Sequence, residues 1–494
     1  MNRLMMLCLS FLLAFAIPAK AQQTSDTRAL LVACSDFITQ EDLGAAISGN
    51  LHMIGSALIS ANVGHLSIED GTIGTVQALE EAINDTFSTA DETDLSIFYL
   101  CTHGVLSSSD DGQVYLLLGD GQTESPLSSK SLYDLLFGIQ GEKLLILDAC
   151  HSGALIGRGR PESSALSAAP DTDSGFLTPF LQDSSMHVLT SSSGSESSWY
   201  YDSERLSSGA VSYFASALSS GLGLYGTAEA DLNGDGAVSL DELHRHLSVS
   251  VPSSSSQLLS IRAESVFLPV AQNAMLSRPL IGFSYGASLL YSDDPTLEFS
   301  FTVTREDTCV QYRLVDYISG SWDWDNARTF LDEGDNGDSL LGIGRKHRAL
   351  SLEDVLPGES GFMMLQVFSV HENEVQLCSE RIVAMQPDMA QSELTLQCRQ
   401  ELQHPGLEEL TIGIKINVPT ELTVSVFSSE GVLVRRLAAS QLTRPSADDL
   451  SLFYWDGRDA QGNPVESGSY TIAAETRIGG KRLKTTSEVL VGCL

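Results

Sequence analysis

The sequence predicts an α/β sandwich, a mostly parallel sheet flanked by helices, followed by two all-β sandwich modules. Three observations predict it. From Ala29 to about residue 270, compact apolar runs alternate with stretches of helical spacing. Two of those runs, Leu95–Cys101 and Lys143–Leu147, end in short polar sequences, as buried parallel strands do at the edge where α/β sheets place their chemistry. From about residue 280, short alternating runs replace the helical spacing. The expected division is a leader over 1–21, an α/β domain over 27–275, a β-sandwich module over 280–393 and a second over 396–494.

Taken in order, Ala29–Cys34 reads as a strand, and Asp42–Asn62 as a helix with Leu43, Ile47, Leu51, Ile54, Leu58 and Ile59 near one face. His65–Ile68 is a short strand and Gly74–Phe87 a second amphipathic helix. The strand at 95–101 ends in Thr102-His103-Gly104, and Val114–Leu118 forms one arm of a small hairpin. Ser128–Phe137 is a helix with a serine cap, leading into a strand over 143–150. Met186–Thr190 is another strand, Ser208–Ser220 another helix, and Val266–Val270 a closing strand. Later, Leu297–Val303, Val310–Leu314 and Gly361–Val370 alternate as sandwich strands do. The acidic run Asp323, Asp325, Asp332, Asp335 and Asp338 reads as solvated surface.

The chemistry concentrates in Asp148-Ala149-Cys150-His151-Ser152-Gly153, at the lip of the 143–150 strand, and in His103-Gly104 on the preceding one. Neighbouring strands would deliver a thiol and an imidazole to one sheet edge, which is what a thiolate nucleophile and its proton-exchanging base require. This pair of motifs resembles the caspase/metacaspase group of cysteine peptidases, over roughly residues 27–275, and implies a caspase-like sandwich. The resemblance implies that Cys150 is the nucleophile, His103 the base, and the N–H groups of Gly104 and Cys150 the oxyanion donors. It implies cleavage after Arg or Lys, since relatives with Cys-His-Ser-Gly favour basic residues. A guanidinium needs a carboxylate in its pocket; Asp148 matches the acidic position of metacaspase-like members, and Asp36 is a second candidate by position. Relatives are often cut in the loop after the nucleophile strand, and there Arg158 is favoured over Arg160, which precedes Pro161.

Residues 231–242 match an EF-hand calcium loop position by position: oxygen ligands at Asp231, Asn233, Asp235 and Ser239, the carbonyl of Ala237, a sharp turn at Gly236, and Glu242 to close the shell with both carboxylate oxygens. A single such loop suggests a structural Ca²⁺ brace, and the cysteine chemistry itself needs no cofactor. His244 and His246, two apart on the following helix, read as solvent-facing. The last hundred residues carry Trp455-Asp456-Gly457-Arg458-Asp459 and Gly468-Ser469-Tyr470, and resemble the Ig-like domain of the flagellar hook-capping protein. That implies an appendage for spacing or for docking to a surface or protein.

The formal charge of −36, or −38 once Arg3 and Lys20 leave with the leader, argues against nucleic acid and anionic lipid as partners and suits basic peptides and Ca²⁺. Met1-Asn2-Arg3, the apolar Leu4–Ile17 and Ala19-Lys20-Ala21 have the form of a secretory signal peptide cleaved after Ala21, so export is expected, with no membrane span in the mature chain. In an oxidising compartment, Cys309–Cys378 and Cys398–Cys493 would each staple one β module, with other pairings open. The expectation is a secreted cysteine endopeptidase acting on protein substrates after basic residues. The alternative is a non-catalytic calcium-binding adhesion or scaffold protein with a degenerate peptidase domain.

Overall fold

The computed structural model describes residues 26–106, 114–158, 179–201, 211–252, 254–352, 361–371, 374–386, 392–445 and 450–492. The expected leader, Arg160 and Cys493 lie outside them. In the first half the chain forms β1 (Thr27–Ala33), α1 (Ala45–Ser60), β2 (His65–Asp70), α2 (Val76–Phe87) and β3 (Leu95–Cys101). A hairpin sheet follows, β4 (His103–Leu106), β5 (Val114–Gly119) and β6 (Glu124–Leu127), then α3 (Ser129–Phe137), β7 (Glu142–Asp148) and β8 (Met186–Thr190). After α4 (Tyr213–Gly221) come β9 (Val238–Ser239), α5 (Leu240–Ser250), β10 (Gln257–Leu259) and β11 (Phe267–Leu268), with β9 and β11 paired.

The main sheet runs β10-β8-β7-β3-β1-β2, parallel throughout except for β10. Its inner strands β1, β3, β7 and β8 read as near-continuous apolar runs because both faces are covered. Leu31, Ile97, Tyr99, Leu144 and Ile146 face one core with α1, α4 and α5. Leu30, Phe98, Leu100, Leu145 and Leu147 face the other, with α2, α3 and the hairpin sheet. The chain leaves β1 for β2 on one side and returns to β3 on the other, so the strand order reverses between β1 and β3. In open α/β sheets that crevice is where ligands bind.

Serine and threonine caps set the helix starts: Thr75 accepts the Ala78 N–H, Ser128 the Ser131 N–H and Ser212 the Ala215 N–H. Such a cap contributes about 1 kcal/mol. Ser212 caps α4 ahead of Tyr213, and the expected start at Ser208 lies outside the described residues. Two sequence expectations fail nearby. His246 is buried, its Nε2–H donating to Ala217 O at 3.2 Å, and His244 is half-buried, its Nε2–H donating to Ser256 O at 3.1 Å, because α5 packs both of its flanks. Burial lowers each imidazole to a pKa of about 4.

Beyond residue 280 the strands are arranged as two β sandwiches. The first sets the strands 280–285, 296–303 and 344–351 against a sheet holding 309–318, 362–371 and 374–386. Its Asp332 is not solvated surface but buried, receiving Arg348 Nε at 2.6 Å and the Tyr312 hydroxyl at 2.5 Å. Cys309 and Cys378 are free thiols, the latter bonded to Ser369 Oγ at 3.4 Å, so the expected staple between them is absent. The second sandwich faces 394–398, 410–416 and 450–455 against strands 421–428, 433–442, 468–478 and 481–491 around a fully buried Trp455.

Candidate active site at the strand edge

Cys101 pairs with Asp148 in the β3–β7 register, and Thr102 N–H donates to Asp148 O at 3.3 Å. The next residues on each strand, His103-Gly104 and Ala149-Cys150, therefore leave the sheet side by side. Gly104 touches the Cys150 backbone: a Cβ there would stand 1.7 Å from Cys150 O. Gly153 is also confined, though less tightly, since a Cβ would meet Ser192 O and the Ser193 Cα at 2.9 Å. His151 takes a left-handed conformation, φ 57°, which turns the chain from β7 into the 3₁₀ segment Ser152–Ile156. That turn is pinned by His151 N–H to Glu196 O at 2.8 Å and Gly153 N–H to Ser192 O at 3.0 Å.

Among the described residues, the thiol of Cys150 is held by Ser198, receiving its N–H at 3.4 Å and donating to its carbonyl at 3.8 Å. The His103 Nε2 bonds to Glu41 O at 2.8 Å, and the ring lies against Phe37 with centroids 4.7 Å apart. Each member of the pair is thus oriented by backbone from a different loop. Long or absent base–nucleophile bonds are common before substrate binds.

Asp148 lies beneath this edge, with no solvent exposure. It accepts from Tyr99 OH at 2.9 Å, Asn50 Nδ2 at 3.2 Å, Ser198 Oγ at 3.0 Å and Ser212 Oγ at 2.5 Å. All four donors are neutral. Burial pushes its carboxyl above the ordinary range, while the Ser212, Tyr99 and Ser198 bonds pull it back. Its place beside Ser212 also sets it at the N-terminus of α4, whose dipole favours negative charge. Cys101, buried beside Asn50 Nδ2 at 3.4 Å, is pushed well up by burial and is chemically quiet.

Asp36 does not join this cluster. It is exposed on the loop after β1, its carboxylate taking the Ser35 hydroxyl at 2.6 Å. Arg158 is not an exposed cleavage point: it is buried, and its Nε and Nη2 reach both carboxylate oxygens of Glu409 while the guanidinium stacks 4.7 Å from the Tyr454 centroid. Sequence reasoning missed Asn50, Tyr99, Ser198 and Ser212. The signal for Asn50 was a polar side chain on the apolar face of α1, between Ile47 and Ile54. A cleft at the opposite sheet edge, around Glu92, Phe137 and the Lys143–Asp183 ion pair, is remote from the thiol.

The 231–242 loop is folded by its own carboxylates. Asp231 accepts the N–H groups of Gly234, Asp235 and Gly236 at 2.8, 3.1 and 2.9 Å, Asn233 accepts from Asp235 at 2.8 Å, and Asp235 from Ala237 at 2.9 Å. Gly236 has φ 85°, the turn only glycine makes without strain. Glu242 closes a capping box with Ser239, and its other oxygen, Oε1, is buried without a partner. Among the described residues, no three Asp, Glu, His or Cys side chains are grouped closely enough to hold an ion by themselves. The hard oxygen donors and the orphaned Oε1 nonetheless fit a calcium loop whose shell also needs Asn233 and the Ala237 carbonyl.

Comparison with known proteins agrees with this architecture. Residues 4–167, which include His103 and Cys150, match the CHAT domain, and residues 404–480 match the FlgD Ig-like domain. The chain is thus similar to the CHAT domain in its first part and to the FlgD Ig-like domain near its C-terminal end. Among solved structures it is similar to caspase-1 from Spodoptera frugiperda, at 14% identity and a TM-score of 0.32, covering 51% of this chain and 92% of that one. It is also similar to the Drosophila initiator caspase Dronc, at 12% identity and a TM-score of 0.30, covering 50% and 81%. No curated protein matches. No helix among the described residues is long and apolar enough to cross a membrane.

Proposed function

We propose that this protein is an exported cysteine endopeptidase that cleaves after Arg or Lys. The observation that carries the reading is the packing of Gly104 on the Cys150 backbone, which sets the His-Gly and Cys-His-Ser-Gly sequences edge to edge. Cys150 Sγ attacks the scissile carbonyl carbon as its proton passes to His103. With Nε2–H donated to Glu41 O, Nδ1 is the nitrogen left to take that proton and return it to the leaving amine. The N–H groups of Cys150 and Gly104 receive the developing oxyanion. Water then releases the acyl group, with His103 acting as base.

Asp148 supplies the charge for a basic side chain. It is a buried carboxylate held by neutral donors alone, and a substrate guanidinium entering past Ser198 would complete it. The 231–242 loop takes one Ca²⁺ through Asp231, Asn233, Asp235, the Ala237 carbonyl, Ser239 and Glu242, and braces the domain. The leader sends the chain out of the cytoplasm, and the β modules dock it to a surface or protein.

The covered state of Asp148 favours one rival, a non-catalytic calcium-binding scaffold. The test is hydrolysis of short Arg-, Lys- and Asp-ended fluorogenic peptides by the mature protein. Wild type should cleave the basic peptides, and Cys150→Ala and His103→Ala should each abolish cleavage without unfolding. Full activity in either folded variant would refute the dyad, and an inert wild type would favour the scaffold.

A further inference from the structure

The loop that orients His103 is itself anchored by a side chain outside the dyad. Loop 35–43 follows β1 at the point where the strand order reverses, and it supplies both the Phe37 ring and the Glu41 carbonyl to the imidazole. Inside the loop, Phe37 N–H donates to Asp42 Oδ1 at 2.9 Å and Leu43 N–H to Ser35 O at 2.9 Å. Its tip has little packing to hold it, for Ile38 is 59% exposed. The tip is held instead by Glu124 on β6. One carboxylate oxygen accepts the N–H groups of Ile38 at 2.7 Å and Thr39 at 3.0 Å, and the other accepts the Thr39 hydroxyl at 2.5 Å.

Glu124 is well placed for this. β6 is the third strand of the small sheet whose first strand begins with His103, so one sheet carries the imidazole and the anchor of its orienting loop. The turn before Glu124 is fixed by Asp120, which accepts the N–H groups of Gln122 at 2.9 Å and Thr123 at 2.6 Å. A further tie, Gly121 N–H to Asp36 O at 3.0 Å, joins the same turn to the same loop. Burial works against the ionised Glu124, but the Thr39 and Ile38 bonds and the nearby His103 charge hold its carboxyl below the usual range.

We infer that Glu124 is a positioning residue for His103, acting through residues 38–41 to set the imidazole's orientation and tautomer. The inference rests on His103 being the base of the dyad. An imidazole that loses its Nε2 partner can rotate or exchange tautomers, and the thiol then loses the group that takes its proton.

The test needs no substrate. Alkylation of Cys150 by iodoacetamide at neutral pH is followed by mass spectrometry of the Cys150 peptide in wild type, His103→Ala, Glu124→Ala and Glu124→Gln, well below each melting temperature. Glu124→Ala should slow the reaction about tenfold or more, toward the His103→Ala rate, as a misplacement of about 1 Å does in other sites. Glu124→Gln, which can still accept both N–H groups and donate to Thr39 Oγ1, should restore most of the rate. A tie that is only structural would lower the melting temperature in Glu124→Ala and leave the alkylation rate unchanged, and that result overturns the inference. So does a Gln variant as slow as the Ala variant. If His103→Ala reacts like wild type, the dyad falls, and the role assigned to Glu124 falls with it. If only Glu124→Ala reacts like wild type, the dyad stands without this anchor.

Discussion

A side chain on Gly104 would have to displace the carbonyl of Cys150, so this glycine does at residue scale what the motif promised in the sequence. The same holds for Gly153, wedged against Ser192 and Ser193. Asp148 is the residue where motif and environment pull apart. Its folded carboxyl is pushed up by burial, so the fold takes up a proton more readily than the unfolded chain. Stability from this group therefore rises as pH falls through the folded value, and a penalty remains at neutral pH. Asp148→Asn should melt no lower than wild type at pH 7, since its oxygen can still accept from Tyr99, Asn50 and Ser212 while its amide donates to Ser198. Turnover of Arg-ended peptides should drop about a hundredfold, the scale of losing one partner of a buried charge pair. Unchanged turnover would remove Asp148 from the specificity pocket. The meeting of Cys150 and His103 at one sheet edge was legible because each is tied to a glycine with a fixed neighbour. The Asp148 hydroxyl cage was not legible, because Ser198 and Ser212 are ordinary serines until the fold gathers them.

At the scale of elements, strands 95–101 and 186–190 follow directly from their apolar runs, since both faces are covered and no alternation was needed. The surface of α5 was misread because an i, i+2 histidine pair looks exposed unless the helix is packed on both flanks. Burial lowers His246 to about 4 from the usual 6.5, so the unfolded chain binds its proton first. The stability this neutral imidazole contributes is complete above pH 6.5 and is lost as pH falls toward 4, by on the order of 3 kcal/mol. Asp148 and Glu229, both raised by burial, act in the opposite direction, so the comparison must be between variants. His246→Gln should lose less melting temperature between pH 7 and pH 5 than wild type; equal losses would show that His246 is not the acid-sensitive group. The loop before α5 gives a second test. A ligand that binds only the folded state adds about 2.7 kcal/mol at a hundredfold excess over Kd. Chelation should lower the melting temperature, and Glu242→Gln should abolish that response. A melting curve indifferent to Ca²⁺ and chelator would leave Glu242 as a helix cap alone.

Across the whole molecule, the β modules pack onto the loops of the α/β domain. Tyr201, next to the residue facing Cys101, donates its hydroxyl to Glu380 at 2.5 Å, and Arg444 donates to Val251 O and Ser254 O at 3.0 and 2.9 Å, just past the C-terminus of α5. None of this was legible in the sequence, where the last module read as an appendage, because contacts between residues hundreds apart leave no periodic trace. Arg158 shows the consequence. It sits just past the turn that follows Cys150, its N–H donates to Gly153 O at 2.8 Å, and its carbonyl accepts from Gly194 at 3.1 Å. A protease needs that carbonyl free and that side chain extended, and here both are engaged. Removing the partner carboxylate would leave a buried guanidinium uncompensated, which costs about 3–5 kcal/mol, whereas replacing both partners with apolar residues is often neutral. Glu409→Ala should therefore lower the melting temperature by several degrees, and Arg158→Met with Glu409→Met should recover most of it. Limited trypsin digestion should spare the bond after Arg158 in the folded wild type and cut it in Glu409→Ala. Rapid cutting after Arg158 in the wild type would restore it as a processing site and show that the Ig-like module does not hold the segment that follows Cys150.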